Sequence, residues 1–318
     1  MIPLIKKIAV SPYFQFTVGI AALISFQLQH SNPLVLVISV PGFVTIAAFF
    51  HIKKYYKSNY YSKTTTCFSK YREVSKIQVH ICSKLITKDA ELRRKIDQGK
   101  SNNFDYFETM RTIQFDYYKQ IVELLKDFLQ ILARQDGIDD VVSISIKHLF
   151  KENGENDDIN VVTIWRDRNS YYSGRSVGED SKATISNNYD FLNIYNVKDE
   201  SKKCFVHNNL SEYDDYFNSN AGWQKDYNAT IVVPIEWPKR RNGIVGFLCA
   251  DSLNSDKKNI FNKKSLEIMK SFAALIASQL IMLESLSKDV LNKVDKENGI
   301  NINDKALEAL IWKKSKES

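Results

Sequence analysis

Charge is missing from two stretches near the N-terminus. Ser11 to Leu28 and Pro33 to Phe50 contain no Lys, Arg, Asp or Glu, and each runs for 18 residues. Such runs argue against solvent-facing helices and meet the lower limit for crossing a bilayer. Paired cysteines are also missing. Cys67, Cys82, Cys204 and Cys249 are scattered without a C-x-x-C pair, which argues against a disulfide scaffold or zinc site and fits a reducing compartment. The five histidines, His30, His51, His80, His148 and His207, never fall at metal-ligand spacing. No Gly-rich phosphate loop, G-x-S-x-G elbow or H-E-x-x-H is present. Nothing in the sequence demands an enzyme, and neither a metal nor another cofactor is expected.

The two uncharged runs are joined by His30, Ser31 and Asn32, a tight loop. A cleaved signal peptide would explain only the first run, and no small-residue cleavage site is evident. Residues 1–52 therefore read as a transmembrane helical hairpin. Lys6 and Lys7 precede it, Lys53, Lys54 and Lys57 follow it, and the loop carries no charge, so both ends are expected to face the cytoplasm. Gln15, Gln27 and the Pro41-Gly42 step leave two readings of the spans. A plain kinked anchor is favoured over helices that associate and rearrange to let water or ions through.

The net charge of +7 resembles a nucleic-acid signal until it is located. Residues 51–86 hold eight basic side chains, Lys53, Lys54, Lys57, Lys63, Lys70, Arg72, Lys76 and Lys84, against the single acid Glu73. The excess is juxtamembrane, where anionic headgroups attract about 1 kcal/mol per basic residue. Membrane lipids are thus an expected partner, and nucleic acid is not.

Residues 53–103 read as this basic segment followed by a stalk helix. From Tyr71 to Gln98 a narrow apolar stripe of Val74, Ile77, Ile81, Leu85, Leu92 and Ile96 recurs at helical spacing. Gly99 to Asn103 breaks it. A second helix is predicted from about Phe104 to Gln135, with Phe107, Met110, Ile113, Tyr117, Ile121, Leu124, Phe128 and Ile131 on one face, ended by Asp136-Gly137. Val141 to Phe150 and Asn160 to Arg166 read as strands around a polar turn. Asn169 to Asp199 is irregular and polar, Cys204 to His207 is a short apolar run, and Asn208 to Asn228 is another loop with a helical turn. A long helix runs from Lys264 to about Asn292, and residues 293–318 carry a short amphipathic helix. The tail has no length for a kinase, cyclase or phosphodiesterase domain, so output is expected through the membrane or a partner.

Between Tyr227 and Ser252 two apolar runs flank a basic turn, and their β-branched composition suits strands buried on both faces. Pro234 and Pro238 restrict pairing, Asn242-Gly243 suits the turn, and Gly246 removes a side chain so that a helix or ligand can approach. With VVPI at Val232 to Ile235, GIVGFLCADS at Gly243 to Ser252, Phe261 and the helix from Lys264, this region resembles a GAF domain over roughly residues 138–286. In that family a strand ending in PI pairs with a strand of the form G-hydrophobic-hydrophobic-D, and a long helix returns onto the sheet. The resemblance implies an α+β fold: a GAF-like antiparallel sheet flanked by helices, here preceded by the transmembrane hairpin and helical stalk. Residues 104–292 would form the lead-in helix and GAF-like domain, with a homodimer contact expected along that helix.

The resemblance also implies a ligand pocket under the loops. Candidates are Trp165 and, with guanidinium groups that suit an anion, Arg166, Arg168 and Arg175. Ser186, Asn187, Asp190 and Phe191 join amides and a carboxylate to aromatics, as a nucleobase edge requires. His207, Asn209, Trp223, Tyr227, Asn228 and Thr230 would add hydrogen bonds and a stacking surface. The bland alternative is solvated charge, loop caps and core aromatics. The Asn-Lys-x-Asp type motif of cyclic-nucleotide GAF domains is absent here, and Cys204 and His207 suit a tetrapyrrole only by residue type, so the ligand stays open. Two spans with a cytosolic binding module are similar in architecture to bacterial defence effectors in which nucleotide signals control membrane disruption. The expectation is a sensor in the bacterial inner membrane for a small anionic molecule, first a cyclic nucleotide or dinucleotide. The alternatives are a ligand-free scaffold for homo-oligomerisation or partner binding, and a hydrolase built on Asp190 and His207.

Overall fold

The computed structural model describes residues 61–151, 159–197, 203–220, 222–237, 243–254 and 258–298. The transmembrane hairpin, the basic residues before Tyr61, both hairpin turns at their tips and the amphipathic helix after residue 299 lie outside them. The chain divides into two compact units, Met1–Val79 and His80–Ser318. In the first, the described part is the opening of helix α1 (Tyr61–Asp97). Everything below belongs to the second.

Helix α1 ends where Gly99 takes φ +66°, and the N–H groups of Gln98, Gly99 and Lys100 donate to carbonyls of its last turn. Helix α2 (Asn103–Gln135) starts at a capping box. Asn102 Oδ1 accepts from the Asp105 N–H at 2.9 Å while Asp105 accepts from the Asn102 N–H. It stops at Gly137, φ +76°. Its face is wider than its heptads imply, because Tyr106, Leu125, Leu129 and Leu132 are buried beside Met110, Ile113, Tyr117, Ile121, Leu124 and Phe128. The helix meets both the sheet and the last helix, α5 (Lys263–Asn298).

The fold is α+β, with two helices leading into a six-stranded antiparallel sheet curled as a half-barrel and a long helix packed back onto it. The strands are β1 (Val142–Lys151), β2 (Ile159–Arg166), β3 (Ala183–Thr184), β4 (Phe205–His207), β5 (Ala229–Glu236) and β6 (Ile244–Ser252), in the order β3-β2-β1-β6-β5-β4. β5 and β6 pair as the sequence predicts, Val233 opposite Leu248 and Pro234 opposite Phe247. Gly246 serves a closer approach than expected. A Cβ there would lie 2.1 Å from the Lys147 carbonyl oxygen, so it is the backbone of β1, not a helix or ligand, that needs the space.

Between β2 and β5 the chain is more ordered than its polarity implies. It forms α3 (Arg168–Tyr172), 3₁₀ turns at Gly178–Ser181, Ile185–Asn187, Leu210–Glu212 and Trp223–Lys225, and α4 (Tyr189–Asn196). Phe191 and Ile194 of α4 anchor it in an apolar cluster with Phe205, Leu210, Tyr216, Trp223, Val232 and Phe247. The sheet is therefore covered on both faces, by α2 and α5 on one side and by these turns on the other.

Candidate ligand-binding site

One bulge decides what the second face presents. Ile146 pairs with Trp165 but Lys147 pairs with Thr163, so Ile164 is an extra residue in β2. An extra residue reverses the alternation beyond it. Val161 and Thr163 face the covering turns; past the bulge Arg166 does so, while Trp165 turns to α2 and packs on Phe115 at 5.8 Å.

Under the turns lies a cavity of about 530 Å³. Its floor is Lys147 of β1, Thr163 and Arg166 of β2, and Cys249 and Asp251 of β6; its cover includes Arg175, Asn188, Asp190, Asn220 and Asp226. Two rings complete it. Phe191 stacks on Phe247 at 4.7 Å, and Tyr227 shares its hydroxyl with Tyr216 at 3.0 Å and accepts from Asn218 Nδ2 at 2.8 Å.

The charges are unevenly matched. Arg175 donates from Nη2 to Asp251 Oδ2 at 3.1 Å and from Nη1 to Ser143 Oγ at 2.9 Å. Asp251 also accepts from Thr230 Oγ1 at 2.8 Å. Burial lowers the Arg175 guanidinium, but the Asp251 carboxylate more than offsets this and holds it above its usual value. Lys147 Nζ donates to Thr163 Oγ1 at 2.9 Å and sits 5.5 Å from the Phe191 ring centre. Burial, with Arg166 beside it, pushes Lys147 down to about 8. Arg166 Nε donates to the Ser176 carbonyl at 2.9 Å, and its Nη1 is buried without a partner. Burial and Arg175 push it down to about 10. Asp190, 4% exposed, accepts from the Phe191 N–H at 3.0 Å, yet burial, reinforced by Asp251, pushes its carboxyl up to about 7. Burial raises the Cys249 thiol, so it stays protonated at neutral pH and is no activated nucleophile.

A polar chain leads from the cavity to α2. Ser143, which receives Arg175, donates to Asp167 Oδ2 at 3.2 Å. Asp167 is fully buried, accepts from the Ile144 N–H at 2.9 Å, and pairs with Lys126 of α2.

Of the residues chosen from sequence, Arg166, Arg175, Asp190, Phe191 and Tyr227 line this cavity. The others sit elsewhere. Trp165 is turned away by the bulge. Arg168 is exposed, with its guanidinium 5.8 Å from the Tyr172 ring and its N–H donating to Glu123. Ser186 and Asn187 are exposed on their 3₁₀ turn, while the neighbouring Asn188 points inward and accepts from Ser219. His207 packs on Tyr213 at 4.8 Å on strand β4 and does not share the cavity with Asp190. Asn209 and Asn228 bond each other at 3.0 Å across a turn, Trp223 packs between Tyr216 and Tyr227, and Thr230 stands behind Asp251.

Lys147, Thr163, Cys249, Asp251, Asn188 and Asp226 were missed. A lysine in an alternating apolar strand and an aspartate in an otherwise apolar one were the available signals; buried strands rarely carry either without a partner. Among the described residues no group of three His, Cys, Asp or Glu could hold a metal ion. No protein-family model and no curated protein matches the chain.

Proposed function

We propose that this protein is a membrane-anchored sensor whose GAF-like domain binds a small anionic molecule, first a cyclic nucleotide or dinucleotide. The observation that carries the reading is the cavity itself: about 530 Å³, four cationic side chains on its wall, Lys147, Arg166, Arg175 and Lys182, and the rings of Phe191 and Tyr227 as flat surfaces. That volume suits one small ligand, and convergent charges beside rings suit a molecule with an anionic and a planar part. The GAF-like assignment is supported by the pairing of the VVPI strand with GIVGFLCADS, by α5 lying back on β5, and by the covering turns over the cavity. A ligand-free scaffold would fill such a space with its own apolar side chains, and a wall rich in charge speaks against it.

In this reading the N-terminal hairpin holds the chain in a bacterial inner membrane with both termini cytoplasmic, and the protein is a homodimer. Ligand-induced change passes along the helices to the spans and disrupts the membrane or engages a partner. The chain Arg175–Ser143–Asp167–Lys126 supports a path from cavity to α2. Thermal unfolding of the full chain in detergent, scanned against cyclic mono- and dinucleotides, tests the ligand class. One of them at 100 times its Kd adds about 2.7 kcal/mol. A flat response across the panel would remove nucleotides from the proposal.

A further inference from the structure

Resting on the reading that the cavity binds an anion, we infer that Lys147, Arg166 and Thr163 form a single oxyanion subsite that takes one phosphoryl group. Lys147 and Arg166 sit on paired strands, Lys147 opposite Thr163 and Arg166 opposite Ser145, and the bulge at Ile164 turns Arg166 to the cavity face that Lys147 occupies. Asp251 attracts both across the cavity, but among the described residues neither forms an ion pair. Among the described residues Lys147 has no carboxylate at ion-pair distance, and its hydrogen bond goes to a neutral hydroxyl. Arg166 has spent Nε on a carbonyl and keeps Nη1 buried and unpartnered. A buried donor left unpaired is costly, so Arg166 Nη1 beside an ammonium that bonds only a neutral hydroxyl makes a place for an acceptor.

Arg175 belongs to the frame instead. Its two Nη groups are committed to Ser143 and Asp251, which cancels its charge within the wall. With Lys182 drawn over the Phe150 ring, Lys147 and Arg166 are the cations of the strand floor that carry no ion pair among the described residues, and together they suit one anionic group. The donors are separated: an ammonium on β1 and a guanidinium edge on β2. A tetrahedral group with three or four acceptor oxygens meets both at once, whereas a planar carboxylate has two oxygens, and the Nε edge of Arg166 that would hold it side-on is already spent on Ser176. Burial is the main cause of the lowered proton affinities of Lys147 and Arg166, with Arg166 adding to the first and Arg175 to the second, and an anion bound between them would reverse both shifts. Asn220 and Asp226, which hydrogen-bond each other at 3.2 Å, line the cover over the rest of the cavity.

The test uses the full chain in detergent, labelled at pH 8 with an amine-reactive reagent and read peptide by peptide by mass spectrometry. Inorganic phosphate is expected to protect Lys147, and acetate at equal ionic strength is not. Arg166→Met is expected to weaken that protection by about tenfold or more, as loss of one charged hydrogen bond implies. Equal labelling in phosphate and acetate overturns the subsite. If a nucleotide stabilises the wild type and stabilises Lys147→Met and Arg166→Met equally, the subsite falls while the sensor reading stands. If neither phosphate nor any nucleotide acts, both fall.

Discussion

Asp190 is the residue whose environment makes the sharpest demand. Its folded carboxyl titrates near 7 because burial, reinforced by Asp251, outweighs the Phe191 N–H and the nearby Lys147. The unfolded value is about 3.9. Between those values the folded chain holds a proton that the unfolded chain has lost, so this group costs stability as pH rises from about 4 to about 7. Asp190→Asn removes the ionisation. It should therefore be more stable than wild type at pH 8, by on the order of 2–4 kcal/mol, with a smaller gap at pH 5. Side-by-side thermal unfolding at the two pH values measures this, and a gap that does not change with pH would rule out the buried carboxyl as its source. Asp190 was legible in sequence as a carboxylate among aromatics. Lys147 was not, because β1 reads as apolar and nothing local says which face its lysine takes.

At the level of elements, α2 and the sheet edge are joined by one buried ion pair, Lys126 with Asp167. Burial alone would raise the Asp167 carboxyl, but Lys126, Ser170 and the Ile144 N–H together hold it below the usual range. Removing one partner of such a pair strands the other in a dry site, at a cost of about 3–5 kcal/mol. Asp167→Asn is expected to lose that much in unfolding free energy, and adding Lys126→Met should recover part of it. A single mutant with wild-type stability would show the pair to be solvent-compensated. The extents of α2 and β1 and the Asp136-Gly137 stop were readable from local pattern, whereas the Asn102 capping box was not read. The pair was not, since its members lie 41 positions apart and Lys126 looks like an ordinary solvated helix residue.

For the molecule as a whole, the question is which apolar helices meet lipid. Among the described residues the segment Lys263–Ser287 of α5 is long and apolar enough to cross a membrane, but its apolar stretch is mostly buried in the domain, where it packs on β5. Its hydrophobicity serves the core. The proposed membrane attachment rests on the uncharged runs of residues 1–52, and a chain lacking them should appear in the soluble fraction after alkaline carbonate extraction while the full chain stays in the pellet. Retention of the shortened chain in the pellet would move the anchor to α5 or to the basic segment.

What the sequence by itself determined were the elements: two amphipathic helices, the β5–β6 hairpin, and the closing helix with its apolar face. Helical spacing, alternation, Asn caps and glycine stops act within a few residues, so each leaves its mark in the local string. The composition of the cavity was decided only by the tertiary structure. It gathers Lys147, Arg166, Arg175, Asp190, Tyr227 and Asp251 from over a hundred positions of chain, and membership turns on register. A single extra residue at Ile164 exchanges Trp165 for Arg166 on the inner face, and pairing between strands, which no short window of sequence contains, is what places that residue.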